Sequence, residues 1–111
     1  MEARAYERFV KRGEIWWGQA PEEDVRPYLL LTRNEAIPAL NKLIVAPATR
    51  TIRGISTEVQ LSRDDGMPRD CVLSLDNKTL IRKTLLTERI TTLGPERMSE
   101  VCRALTHATS C

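Results

Sequence analysis

The stretches RPYLLLTRN (Arg26–Asn34) and LIVAPATRT (Leu43–Thr51) decide how this chain folds. Each holds a short apolar run with β-branched or aromatic residues, bounded by turn-formers, so each predicts a buried strand. Both runs end in residues too polar for plain core. Arg26 enters the first strand, and Pro27 fixes φ just after it. Thr49 and Arg50 leave the second, just past Pro47, which cannot donate to a sheet ladder. If the two strands pair, a guanidinium and a hydroxyl meet at one rim. From Arg26 to Arg53 there are five cations (Arg26, Arg33, Lys42, Arg50, Arg53) and one anion (Glu35), a local excess of four positive charges.

Working outward, Arg12-Gly13 opens a strand at Glu14–Gly18, in which Trp16 and Trp17 point to opposite faces. QAPEEDV (Gln19–Val25) is a polar loop with three acids. Asn34 to Lys42 is a connection whose Pro38 allows only a single helical turn. Ser56 to Ser62 alternates, with Val59 and Leu61 inward and Glu58 and Gln60 outward, as a half-buried strand does. Asp64-Asp65-Gly66 is a turn by composition, and Cys71 to Leu75 is a short strand ending at Asp76-Asn77. One helical turn is predicted around Arg82–Leu86 and a strand at Arg89–Leu93. Gly94-Pro95 starts the clearest helix, with Met98, Val101, Cys102 and Leu105 on one apolar stripe. Short strands, polar turns and one late amphipathic helix predict a small, strongly bent antiparallel sheet or barrel. Residues 1–10 form a polar extension and residues 11–111 a single domain.

Composition narrows the function classes. The chain has 111 residues, 41% hydrophobic and 29% charged, as expected of one globular domain. A formal net charge of +2 points only weakly to an anionic partner; the local excess around Arg26–Arg53 says more. Cys71, Cys102, Cys111 and the single His107 match no zinc pattern. Cys71 and Cys102 read as small buried residues, Cys111 as a free exposed thiol and His107 as a solvated surface group. The charged amino terminus has no signal-peptide core and no run is long enough to span a membrane, so a cytoplasmic setting is expected.

RGEIWW (Arg12–Trp17), RPYLLLTRN, LIVAPATRT and DDGMPRDCVLSLDN (Asp64–Asn77) resemble, in order and spacing, the blocks of the MazF/PemK toxins, especially the mycobacterial members. The similarity runs from about Lys11 to Leu105. It implies an SH3-like barrel that works as a homodimer. It also implies a sequence-selective endoribonuclease of a toxin–antitoxin system, cutting messenger, ribosomal or transfer RNA and neutralised by an antitoxin with an extended, partly acidic tail. The expected products are a 2′,3′-cyclic phosphate and a 5′-hydroxyl, made without metal or cofactor.

Such chemistry needs donors for a phosphorane that carries extra negative charge. Arginine's fork of donors suits phosphate oxygens, and a hydroxyl can add one hydrogen bond. Arg26 and Thr49 are therefore the catalytic pair, and they fall where the family places its catalytic residues. The competing structural reading pairs Arg26 with Asp24 or Asp76 and leaves Thr49 capping a turn. Some members place an arginine two residues before the equivalent of Asp76; here Ser74 stands there, so Asp76 has only a supporting role as an acid or as the group that orients Arg26. Asn77 suits a base edge, and Arg50, Arg53, Arg33 and Lys78 suit phosphates. One tryptophan should be core and the other should line a groove or a subunit contact; Trp16 or Trp17 could stack on a base, and Trp16 is the one assigned. Two other classes share the fold or the charge pattern: a non-catalytic toxin that poisons DNA gyrase, and a plain interaction module.

Overall fold

In the computed structural model, which describes residues 10–110, the apolar blocks form neighbouring strands. These are β1 (Glu14–Gly18), β2 (Arg26–Leu30) and β3 (Lys42–Thr49). Four more follow: β4 (Glu58–Leu61), β5 (Cys71–Ser74), β6 (Thr79–Arg82) and β7 (Leu86–Thr92). All pair antiparallel in the order β4-β5-β3-β2-β1-β7, with β6 also on β3. One helix, α1 (Pro95–Thr109), ends the fold, with Pro95 at its first turn as expected. The architecture is mainly β with a carboxy-terminal helix, as the resemblance implied.

The central strands read as continuous apolar runs because both of their faces are covered. Ile15, Leu29, Leu31, Ala46 and Ala48 enter one core cluster, which α1 closes with Val101 and Ala104. The alternating residues Trp16, Tyr28, Leu30, Leu43 and Val45 enter a second cluster with Val10, Ile81 and Leu86. Val59 and Leu61 face inward from β4, as the alternation predicted.

Side chains tie the two ends of the strand order together. Thr91 on β7 donates to the Asp65 carbonyl just past β4 at 2.9 Å. Arg97 on α1 donates to both Asp65 carboxylate oxygens at 3.0 Å, to Glu100 at 2.8 Å and to the Gln60 carbonyl. The turn between them ends at Gly66 with φ +94°, where an added Cβ would land on Thr91 Oγ1. Only glycine fits both the angle and the space.

Several expectations are corrected. Thr79–Arg82 is a strand, and its two apolar residues, Leu80 outward and Ile81 inward, are too few to announce it. The helical turn spans Lys83–Leu85, and β7 begins three residues earlier than predicted. Cys102 is exposed, because the buried stripe of α1 runs through Val101 and Ala104, flanked by Met98, Leu105 and Ala108. Val10 is core, so it belongs to the domain; the rest of the 1–10 extension and Cys111 lie outside the described residues. No described helix is long and apolar enough to cross a membrane.

Candidate active site

Strand register brings Arg26 and Thr49 together. Leu30 stands opposite Val45, Leu29 opposite Ala46 and Tyr28 opposite Pro47. Continued two residues further, that register would set Arg26 opposite Thr49, and the two side chains do line the same two clefts. The β2–β3 ladder stops short of that point, where Pro27 would stand opposite Ala48 and has no N–H to donate across. Beyond Pro47, β3 turns to β5 instead, with Ala48 opposite Leu73 and Thr49 opposite Val72. The strands part there, and the gap is the site.

Two clefts meet at this pair. The larger, about 560 Å³, is walled by Trp17, Asp24, Val25, Arg50 and Arg69, together with Arg26 and Thr49. That is within the range of ordinary ligand sites. The smaller, about 160 Å³, lies between Arg26, Thr49, Arg53, Glu58, Ser74 and Asn77.

The Arg26 guanidinium has no ion-pair partner among the described residues. Among the described residues the ion pairs are Arg89–Glu14, Arg97–Asp65 and Arg97–Glu100, and neither Asp24 nor Asp76 holds Arg26. Thr49 Oγ1 accepts the Thr51 amide at 3.3 Å, which leaves its own O–H free to donate. Arg26 is half-buried and Thr49 likewise, so both reach solvent at the cleft. The pair offers several hydrogen-bond donors to one anion.

A thiol and a phenol nearby are both held in their protonated forms. Burial, then Asp70 and Asp65, push the Cys71 thiol up, so it stays protonated in the cleft wall. Burial and the Glu23 carboxylate push the Tyr28 phenol up against the opposing pull of Arg26. Among the described residues no three His, Cys, Asp or Glu side chains gather as a metal-ligating group. His107 is exposed in the last turn of α1.

The other assigned residues divide. Arg50, Arg53 and Asn77 line the clefts. The Asn77 amide donates to Ser74 Oγ at 2.8 Å, which fixes the side chain and leaves its carbonyl oxygen for another partner. The Asp76 carboxylate accepts Thr57 Oγ1 at 2.7 Å, forms no ion pair with Arg26 and stands in neither cleft wall. Lys78, one residue past Asn77, also stands outside both walls. Arg33 lies beyond the far end of β2, seven residues from Arg26 or roughly 20 Å along an extended chain.

Trp16 is the clearest correction. It is only 7% exposed, and its indole N–H donates to buried Glu14 at 2.9 Å, so it offers no ring face to a base. Trp17, its half-buried neighbour on the opposite face, lines the larger cleft. Alternation predicted that one tryptophan would be core, but the two identical side chains gave no basis for choosing which. Arg69 and Glu58 were also missed; each sits in a turn or at a strand end, where the side-chain direction is not periodic.

Comparison with known proteins places the fold in a family. Residues 11–109 match the family model described as PemK-like, MazF-like toxin of type II toxin–antitoxin system. The chain is 40% identical over 101 residues to the Mycobacterium tuberculosis protein named "Probable endoribonuclease MazF5", covering 90% of this chain and 93% of the relative. It is 37% identical over 103 residues to "Probable endoribonuclease MazF2" of the same organism, covering 92% of this chain and all of the relative. The solved structure of M. tuberculosis toxin MazF-mt6 superposes with a TM-score of 0.80 at 32% identity, over 87% of this chain and 96% of that one. A mycobacterial endoribonuclease solved with its cognate antitoxin shares the fold, with a TM-score of 0.83 at 21% identity, over 91% of this chain and 95% of that one. The chain belongs to the PemK-like, MazF-like toxin family of type II toxin–antitoxin systems.

Proposed function

We propose that this protein is a sequence-selective endoribonuclease toxin that cuts single-stranded RNA by attack of a ribose 2′-hydroxyl on its own phosphate, without a metal ion. The O2′–P bond forms and the P–O5′ bond breaks. The 2′-hydroxyl proton leaves and the 5′ oxygen gains one, giving a 2′,3′-cyclic phosphate and a 5′-hydroxyl. Arg26 and Thr49 donate to the equatorial oxygens, where charge builds, and preorganised donors there lower the barrier. The observation that carries this reading is a guanidinium with no ion-pair partner among the described residues, facing a hydroxyl free to donate, at the meeting of two clefts.

Arg50, Arg53 and Arg69 supply cations for flanking phosphates, Asn77 can read a base edge, and Trp17 offers a ring for a base. The relatives' names support an endoribonuclease. RNA as substrate and the free thiols Cys71 and Cys102 suit a cytoplasmic setting. An antitoxin with an acidic tail is the expected partner, since the same cations that bind RNA attract carboxylates.

A homodimer is part of the proposal. Ile44 on β3 stands opposite Leu80 on β6, and both are exposed, at 44% and 58%. A second copy covering that apolar pair by a two-fold contact is the simplest solution.

Incubation with a long single-stranded RNA in EDTA tests the activity. Cleavage is the expected result. Inhibition of DNA gyrase with the RNA intact would replace this reading with that of a gyrase poison.

A further inference from the structure

We propose that Glu58 is a positioning residue for RNA cleavage: its carboxylate anchors the Arg50–Thr57 loop, so that Arg50 and Arg53 stand fixed beside the Arg26–Thr49 pair. The inference rests on the nuclease reading above and adds a residue with no part in the chemistry itself.

The loop between β3 and β4 needs an anchor. Residues 50–57 have no regular strand or helix, and every residue from 50 to 56 is exposed. It carries Arg50 and Arg53 and the exposed side chains of Ile52 and Ile55, so no apolar burial holds it. A loop of that kind is free to wander, and cations on wandering backbone bind phosphates at a higher entropic cost.

One carboxylate oxygen supplies the anchor. Glu58 Oε1 accepts the amide of Arg53 at 2.9 Å and that of Gly54 at 3.1 Å. Gly54 takes φ +69°, which lets the two successive amides converge on a single oxygen. Further contacts close the loop's end: the Glu58 amide donates to the Ile55 carbonyl at 3.1 Å, and Thr57 Oγ1 donates to Asp76. Glu58 begins β4 opposite Ser74 on β5, so the anchor is rigid. The same side chain lines the smaller cleft with Arg26, Thr49 and Arg53.

A carboxylate in a cleft that binds phosphates repels its ligand, yet Glu58 lines this one. The amide contacts account for that: what the loop requires is the acceptor oxygen, not the charge. Glutamine keeps an acceptor oxygen in the same place and removes the charge; alanine removes both. Arg50 and Arg53 would hold flanking phosphates equally before and during the reaction, so loosening them should weaken RNA binding and leave the chemical step alone.

The test compares wild type, E58Q, E58A and G54A by amide hydrogen exchange at Arg53 and Gly54 and by steady-state cleavage of a single-stranded RNA. In E58A the two amides should exchange about tenfold faster and KM should rise by roughly tenfold with kcat nearly unchanged. E58Q should bring both back to within about threefold of wild type. G54A strains the same turn while adding a methyl that touches nothing within 4 Å, so it should follow E58A. Unchanged exchange in E58A would overturn the anchor whatever the activity. A kcat lost as heavily in E58Q as in E58A would assign Glu58 to proton transfer and overturn positioning. If wild type cut no RNA, the nuclease reading and the role in cleavage would both fall, while faster exchange in E58A would still establish the anchor alone.

Discussion

Arg97 and Arg26 have the same side chain and opposite employment. Arg97 spends its donors inside the protein, on both oxygens of Asp65, on Glu100 and on the Gln60 carbonyl, and so ties α1 to the turn after β4. Arg26 has no ion pair among the described residues and stands where two strands part. An arginine whose donors are satisfied holds a fold, whereas one kept free in a cleft can meet an anion. The difference arises from neighbours: a capping-box aspartate beside Arg97, and beside Arg26 a proline with no N–H to extend the ladder.

Substitutions should separate the two employments. The largest effect is expected from Arg26→Ala, which should slow RNA cleavage by about a hundredfold or more, some 3 kcal/mol in the barrier, with an unchanged melting temperature. Thr49→Val keeps the shape and loses one donor, so the single-turnover rate should fall by about tenfold to a hundredfold. Arg97→Ala should do the reverse. It should lower stability by about 1–2 kcal/mol, read as a drop in melting temperature of roughly 5–15 °C, while the folded fraction still cleaves.

The Arg97 pair also has a pH signature. Hydrogen bonding from Arg97 holds the Asp65 carboxyl below its ordinary value. A depressed folded pKa means that the stabilisation is complete above the unfolded value of about 4 and is lost as pH falls through the folded value. Acid unfolding should therefore be blunted in Asp65→Asn, which is already destabilised at neutral pH, and the wild-type-minus-mutant stability difference should shrink in acid. Equal differences at pH 7 and pH 2.5 would break the assignment.

A smaller effect is expected at the cleft wall. Trp17→Ala should weaken RNA binding by about 1 kcal/mol, or roughly fivefold, by titration with an uncleavable RNA. Trp16→Phe, a change inside the core, should alter melting temperature more than RNA affinity.

How far the sequence disclosed this site depends on the residue. The Arg26–Thr49 meeting was legible because two apolar runs of similar length, each with a polar end, can pair in only a few registers. The guanidinium's lack of an ion-pair partner among the described residues was not, since whether Asp24 or Asp76 reaches it depends on where two loops lie. Arg33 suited phosphates by charge alone, although a strand's length separates it from Arg26. Trp16 and Trp17 were separable by face but not by which face was core. Cys102 fitted a helical stripe by spacing, yet the stripe's centre was set by Ala104 against the sheet. Strand β6 offered only Leu80 and Ile81, and a two-residue alternation carries almost no periodic signal.

The central claim is that Arg26 and Thr49 act as one unit on one phosphate. A double-mutant cycle in single-turnover RNA cleavage, comparing wild type, Arg26→Ala, Thr49→Val and the double variant, tests it most directly. Once Arg26 is gone, losing Thr49 should cost at least tenfold less than it does in wild type, because the charge they share is no longer held in place. Full multiplication of the two separate losses, or a wild-type rate in Arg26→Ala, would contradict the account.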